Sequence, residues 1–218
     1  MRITGGVLGG RHLRVPDGPV RPTQDRVREA LFSMLAGLLP GARFLDLYAG
    51  SGAVGIEAWS RGAESVCCVE GNRRVHRVLK ENMEQLCPER AEAVLCEAVP
   101  FLEKRVAPGA FHIIFADPPY GRSRRGTEPE AGRPGGKRRP NLPAEEDGVG
   151  DVLDALTASN ALAPGGVFVM EQAFESPVTS YAGWTLLKDR SYGESRLLVF
   201  ERLKVGAGGA GMSAEAGQ

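Results

Sequence analysis

No run of about 18 apolar residues occurs anywhere in the 218-residue chain, and its first 16 residues, MRITGGVLGGRHLRVP, hold no apolar stretch of the kind a secretory leader carries. A cytoplasmic chain that neither enters nor crosses a membrane is expected. Cysteine is scarce: Cys67, Cys68, Cys87 and Cys96 show no C-x-x-C spacing and no neighbouring pair of histidines. That pattern excludes a disulfide scaffold and a zinc site, predicts no metal, and fits a reducing compartment. Charge of one sign is also missing, 27 Lys plus Arg standing against 27 Asp plus Glu. Taken whole, such a balance argues against a polyanionic partner. What is present is ordinary globular composition, 42% hydrophobic and 25% charged. A chain this long buries roughly 70% of its unfolded surface in one core, so one main domain with a small appendage is expected.

Neutrality dissolves once the charges are located. Residues 1 to 28 carry Arg2, Arg11, Arg14, Arg21, Arg26 and Arg28 against Asp17 and Asp25, a local excess of +4. Residues 122 to 139 carry seven basic residues against Glu128 and Glu130, an excess of +5, which leaves −9 on the other 172 residues. Two basic arms on an acidic body suit a phosphate-bearing partner. The basic residues are 22 Arg to 5 Lys; the guanidinium fork suits phosphates and base edges, and a GC-rich genome gives the same bias for no functional reason.

Ile3, Gly5, Val7, Leu13 and Val15, turned by Gly9-Gly10, read as a β-hairpin with few apolar residues to bury. From Thr23, the expected N-cap, Val27, Ala30, Leu31, Met34 and Leu35 recur at helical spacing, and Arg26 and Arg28 fall off that stripe toward solvent or a ligand. Strand-like and helix-like runs then alternate: 43–47, 54–60, 65–70, 74–86, 93–96, a short helix near Phe101, 111–116, 152–162 and 167–171. The alternation predicts right-handed βαβ units, a parallel sheet covered on both faces, and ligands at the carboxyl ends of its strands. Runs 184–188 and 195–202, around Tyr192-Gly193, read as an antiparallel pair closing one edge. The expected organisation is a basic hairpin over 1–22, a domain over 23–203 carrying a basic insertion over 122–150, and a tail over 204–218. Ten of the 29 insertion residues are Gly or Pro and almost none is apolar, so insertion and tail are expected to be mobile or disordered.

The first predicted strand runs through Asp46-Leu47-Tyr48-Ala49 into Gly50-Ser51-Gly52, and Gly55 completes a G-x-G-x-x-G spacing at the start of a helix. Glycines there let backbone approach a ligand closely, and the helix start offers N–H groups; a tight turn with no ligand would look the same. Glu70 ends the second predicted strand, 18 residues after Gly52, where a carboxylate can accept both ribose hydroxyls of a nucleoside. A carboxylate at Asp46 favours the cationic amino group of S-adenosylmethionine over the pyrophosphate of a dinucleotide. Glu97 stands where it could accept from an adenine amino group or remain a solvated loop carboxylate. Asp117-Pro118-Pro119-Tyr120 follows the apolar run 111–116 and so falls at a strand's carboxyl end. Two prolines cannot continue a sheet ladder. They fix an extended loop in which Asp117 and a nearby carbonyl can accept both hydrogens of a nucleobase amine, favouring the geometry and charge of methyl transfer. Tyr120 offers a face on which the base can stack.

These motifs together resemble a known family. An N-terminal hairpin, Arg21-Pro22-Thr23 with Asp25-Arg26-Val27-Arg28-Glu29-Ala30-Leu31-Phe32, then LDLYAGSGAVGIEAWSRGA, Val69-Glu70, FADPPY and YGES resemble the RsmD-type 16S rRNA (guanine-N2)-methyltransferases over residues 1 to about 202. The resemblance implies a class I, Rossmann-like methyltransferase fold with a mostly parallel seven-stranded sheet and an N-terminal hairpin. It implies S-adenosylmethionine as cofactor, and methylation of one guanine N2 in 16S rRNA, within the small ribosomal subunit or its assembly intermediate, by a monomer. The cofactor motifs fall on Asp46, Gly50, Gly52 and Glu70, with Tyr48, Ser51 and Glu97 expected to join them at the cofactor, and the catalytic motif on Asp117, Pro118, Pro119 and Tyr120. RNA contacts are expected from Arg11, Arg14, Arg21, Thr23, Arg26 and Arg28. The chain departs from the family at Glu97, where the residue varies, and in the length of its basic insertion. A DNA adenine-N6 methyltransferase shares the DPPY motif but would need a sequence-reading domain. An RNA-binding assembly factor without catalysis would not need the motif intact, and an NAD-dependent oxidoreductase gives no account of it.

Overall fold

A computed structural model describes residues 1–16, 25–118, 148–178 and 180–203. Arg21, Thr23, Pro119, Tyr120, the insertion up to residue 147 and the tail from 204 lie outside the described residues. Among the described residues five helices and seven strands follow in the order α1 (Asp25–Leu35), β1 (Arg43–Leu47), α2 (Ala53–Ser60), β2 (Ser65–Glu70), α3 (Arg73–Leu86), β3 (Ala91–Leu95), α4 (Ala98–Arg105), β4 (Phe111–Ala116), α5 (Gly148–Ser159), β5 (Leu162–Ala173), β6 (Trp184–Tyr192) and β7 (Ser195–Arg202). The strands form one sheet in the order β3-β2-β1-β4-β5-β7-β6, with β7 antiparallel to both neighbours and the rest parallel. No helix among the described residues is long and apolar enough to cross a membrane.

Alternate strand residues feed two cores, because successive side chains point to opposite faces. Phe44, Val66, Cys68, Ile113, Phe115, Val167 and Val169 pack with α1, α2 and α3 on one face. Leu45, Leu47, Cys67, Val69, Ile114, Ala116, Phe168 and Met170 pack with α4 and α5 on the other. Both faces being covered explains why β1, β2 and β4 read as nearly continuous apolar runs.

Three expectations need correction. The buried stripe of α1 is Val27, Arg28, Leu31, Phe32 and Leu35, one residue round from the stripe expected on periodicity, with Ala30 and Met34 at its margins. Arg28 therefore points into the protein. The N-terminal hairpin is reduced to a single antiparallel bridge, Arg2 with His12, although Ile3 and Leu13 are both buried in the first core. The two arms still pair through Ile3 N–H to the Arg11 carbonyl, Gly10 N–H to the Ile3 carbonyl and Leu13 N–H to the Met1 carbonyl, each at 2.9 Å. The turn is fastened to α2: Val7 N–H donates to the Ser60 carbonyl at 2.9 Å, Leu8 N–H to Ser60 Oγ at 2.9 Å, and Ser60 Oγ–H to the Gly5 carbonyl at 2.7 Å. Gly6 is required there, since a Cβ at 6 would sit 2.0 Å from the Ser60 oxygen. Finally, α5 begins at Gly148, inside the span expected for the insertion, and stops at Ser159, where Asn160 takes a left-handed conformation (φ 52°) that ends helices.

Candidate active site

The sheet's strand order reverses between β1 and β4, and the expected residues gather at the carboxyl ends on either side of that point. After β1 the chain turns through Tyr48, Gly50 and Gly52, all at positive φ (63°, 56° and 83°). For Tyr48, a non-glycine residue, that conformation costs about 1–3 kcal/mol and is held by the turn around it. Ala49 N–H donates to the Val69 carbonyl at 3.0 Å and Gly52 N–H to the Ala49 carbonyl at 2.8 Å. Gly52 opens α2 without a side chain to cap it. Asp46 fills that role from the strand below, its Oδ2 accepting from Gly55 N–H at 2.9 Å. Gly55 itself is obligatory, because a Cβ there would lie 2.3 Å from Cys68 Sγ. It lets α2 lie close on the sheet, as the third glycine of such turns does.

Glu70 braces the same turn. One carboxylate oxygen accepts from Gly50 N–H at 3.0 Å and the other from Asn72 N–H at 2.7 Å. Asn72 in turn caps α3 by accepting from the N–H groups of Arg74 and Val75. Glu97, at the start of α4, lies over Gly71, where a Cβ would come within 2.6 Å of its carboxylate. Asp117 is half-buried at the end of β4 and Pro118 behind it is buried. Four carboxylates thus stand at the carboxyl ends of four neighbouring strands, β1 to β4.

Burial raises the Asp46 carboxyl to about 7, against the opposing Gly55 hydrogen bond and with the nearby Glu70 charge adding to the rise. Tyr48 is pushed up to about 12 by burial and by the carboxylates of Glu97 and Asp151. Burial also pushes the Cys67 and Cys87 thiols to about 12 and Cys68 well above its usual range, which leaves these sulfurs protonated and poor nucleophiles. All four cysteines are free.

The residues fit S-adenosylmethionine. A carboxylate can accept at about four positions, of which Glu70 uses two on backbone N–H groups, leaving capacity for two ribose hydroxyls. Among the described residues Asp46 and Glu70 are held by backbone N–H groups rather than by Lys or Arg, which suits both to a cation. A hollow of about 610 Å³ opens instead at the amino ends of β2, β3 and β4, lined by Arg90, Phe101, Arg105 and Phe111 among others. Ligands of open parallel sheets bind at the other end, and the carboxylates are there.

The basic residues divide. Arg11 and Arg26 are exposed. Arg14 is exposed as well and pairs with Glu81 at 3.0 Å. Arg28, expected to grip phosphate, is fully buried: its Nε donates to Glu57 at 3.3 Å, and its Nη2 to the Arg2 carbonyl at 2.6 Å and Asp25 at 2.9 Å. Glu57 also receives Arg61 at 2.7 Å and both the N–H and hydroxyl of Thr4. Arg61 lies over the Phe32 ring, 5.1 Å from its centre. Glu57 and Asn82, buried polar residues on the inward faces of α2 and α3, belong to none of the motifs read from the sequence. Their position on those faces was the available signal.

A sheet ordered β3-β2-β1-β4-β5-β7-β6 with β7 reversed, a glycine turn after β1 and an acidic end to β2 define a class I methyltransferase fold. Residues 1–128 match the family model described as Conserved hypothetical protein 95, and the chain belongs to that family, the RsmD-type methyltransferases. Ribosomal RNA small subunit methyltransferase D of Escherichia coli (strain K12) is 45% identical over 123 residues, 56% of this chain and 61% of that protein, so the match spans about three-fifths of that relative's length. The protein of the same name from Haemophilus influenzae is 32% identical over 196 residues, 88% of this chain and 89% of that one. The solved structure of the putative methyltransferase yhhF from Escherichia coli superposes with a TM-score of 0.72 at 32% identity, covering 93% of this chain and 97% of that one.

Proposed function

We propose that the protein transfers a methyl group from S-adenosylmethionine to the exocyclic N2 of one guanine in 16S rRNA, acting in the cytoplasm as a monomer on the small ribosomal subunit or its assembly intermediate. The observation that carries this reading is the row of carboxylates at the carboxyl ends of β1 to β4, in which Asp46 and Glu70 are held by backbone N–H groups. The names borne by its relatives support an rRNA substrate.

Asp46 would face the methionine amino group, Glu70 the ribose hydroxyls and Glu97 the adenine, with Tyr48, Gly50, Ser51 and Gly52 forming the wall of the cradle. Bound there, the cofactor supplies an electrophilic methyl group on a sulfonium. Asp117 accepts a hydrogen bond from the guanine amine, whose lone pair is otherwise delocalised into the ring, and thereby favours attack. As the N–C bond forms and the methyl–sulfur bond breaks, leaving the electron pair on a neutral thioether, positive charge grows on nitrogen; the Asp117 carboxylate would stabilise it and take the surplus proton. Pro119 and Tyr120 would complete the motif, Tyr120 giving the flipped base a stacking surface worth roughly 1 to 3 kcal/mol. Arg11, Arg14, Arg21, Thr23 and Arg26 hold the RNA backbone.

Incorporation of tritiated methyl into small subunits from a strain lacking the protein tests the reading, with mass spectrometry locating the modified base. Asp117→Ala should lower the rate about 100- to 1,000-fold while cofactor binding persists. Near-normal rates in that variant would remove Asp117 from the chemistry. Labelling of adenine in duplex DNA, with small subunits inert, would overturn the RNA assignment.

A further inference from the structure

The apolar face of α3 is Val75, Leu79, Met83 and Leu86, and Asn82 stands in the middle of it, 1% exposed. A polar side chain in such a place is retained only if its hydrogen bonds are made. All of them are. Nδ2 donates to the Ser51 carbonyl at 2.9 Å and to the Arg14 carbonyl at 2.9 Å, and Oδ1 accepts from Arg14 N–H at 3.0 Å. The amide therefore grips both backbone groups of one residue in the N-terminal basic segment and spends its remaining hydrogen on the glycine turn.

Neighbouring contacts make this join stiff. A Cβ on Gly52 would meet Leu79 Cδ1 at 2.6 Å, so α3 lies directly against the turn one residue after Ser51. On the other side, Leu13 is buried in the core just before Arg14, and the Ser51 hydroxyl points at Met1 Sδ, 3.9 Å away. A shift of the segment at Arg14 is thus delivered to the Ser51 carbonyl through the Asn82 amide.

We propose that Asn82 is a positioning residue coupling the N-terminal basic segment to the glycine turn, so that RNA held by the segment tightens the grip on the cofactor. The inference rests on the functional reading above. Coupling of this kind is reciprocal: whatever factor RNA contributes to cofactor affinity, cofactor contributes to RNA affinity.

Equilibrium dialysis of labelled S-adenosylhomocysteine, which binds without turnover, measures the factor with and without unmodified small subunits. The wild-type chain should bind about five- to tenfold more tightly in their presence. Asn82→Asp keeps the shape but turns two donors into acceptors facing carbonyls, and should bring the ratio to about one. A merely structural Asn82 would lower the melting temperature and weaken binding equally in both conditions, leaving the ratio intact; that result overturns the proposal. Hydrogen exchange on the wild-type chain gives a second measurement should the variant not fold. S-adenosylhomocysteine alone should slow exchange of the Arg14 amide, and no change there overturns the coupling. A wild-type chain that binds both ligands with a ratio of one defeats the coupling and leaves the methyltransferase reading standing, whereas a chain binding neither defeats both.

Discussion

Two carboxylates are buried around α2, and their surroundings could hardly differ more. Glu57, in the body of the helix, is surrounded by Arg28, Arg61 and Thr4. Asp46, beneath the first turn, has among the described residues a backbone N–H and the neighbouring charge of Glu70, and its carboxyl rises to about 7. Matched charge is the mark of a structural joint, here fastening the N-terminal segment and α1 to α2. A buried carboxylate with no cation beside it among the described residues is suited to one arriving with a ligand.

Breaking the matched side should produce the largest effect. Arg28→Met leaves Glu57 buried with one of its two arginine partners gone, a loss of up to about 3–5 kcal/mol when a buried pair is broken from one side. Urea denaturation should register it as a lower midpoint. Should the variant keep wild-type stability and lose only RNA affinity, Arg28 would be a phosphate contact after all and the comparison would fail.

The same contrast explains what could be read from the sequence. β1, β2, β4 and β7 have the bounds expected from their apolar runs, since each is flanked by turn residues and faces a covered layer. β5 is longer than its core run 167–171 because Pro164, Gly165 and Gly166, which read as a break, lie inside it at a register shift against β4 between Phe111 and Ile113. Residues of the turn, Asp46 and Glu70 were legible because glycine spacing and strand ends mark them. Arg28 was not. Its side chain follows Val27 on a helix whose charged residues look alike in sequence, and only the approach of Glu57 from 29 residues away decides which one turns inward.

On the unmatched side the expected change is in pH dependence. A carboxyl whose folded pKa lies above its unfolded value stabilises the fold most when protonated; that contribution is full below about 3.8 and is lost as pH rises through about 7. Cofactor affinity should run the other way, since the methionine amino group needs Asp46 ionised: below pH 7 it should fall by up to about tenfold per unit, or about 1.4 kcal/mol. Asp46→Asn keeps an acceptor for Gly55 N–H and removes the charge. Calorimetric titration between pH 5.5 and 8.5 should find the variant weak throughout and nearly flat. A wild-type curve that is flat as well would mean that Asp46 does not meet a cation.

The smallest effects belong to the exposed arginines, and they sharpen the distinction most finely because Arg26 is two residues from Arg28 in the same helix. Arg26→Gln and Arg11→Gln should each leave stability within about 0.5 kcal/mol, as surface substitutions do. Each should reduce the salt dependence of small-subunit binding by roughly 0.7 to 0.9 in the logarithmic slope, the change expected when one phosphate is no longer neutralised. Arg14→Gln should behave similarly, its exposed pair with Glu81 being worth no more than about 1 kcal/mol. Filter binding across a salt series measures the slope and urea denaturation the stability. The diagnostic outcome is the crossing of the two: Arg26→Gln altering slope without stability, Arg28→Met altering stability far beyond any change in slope. A helix whose two arginines failed to separate in this way would not divide a structural joint from a nucleic-acid surface.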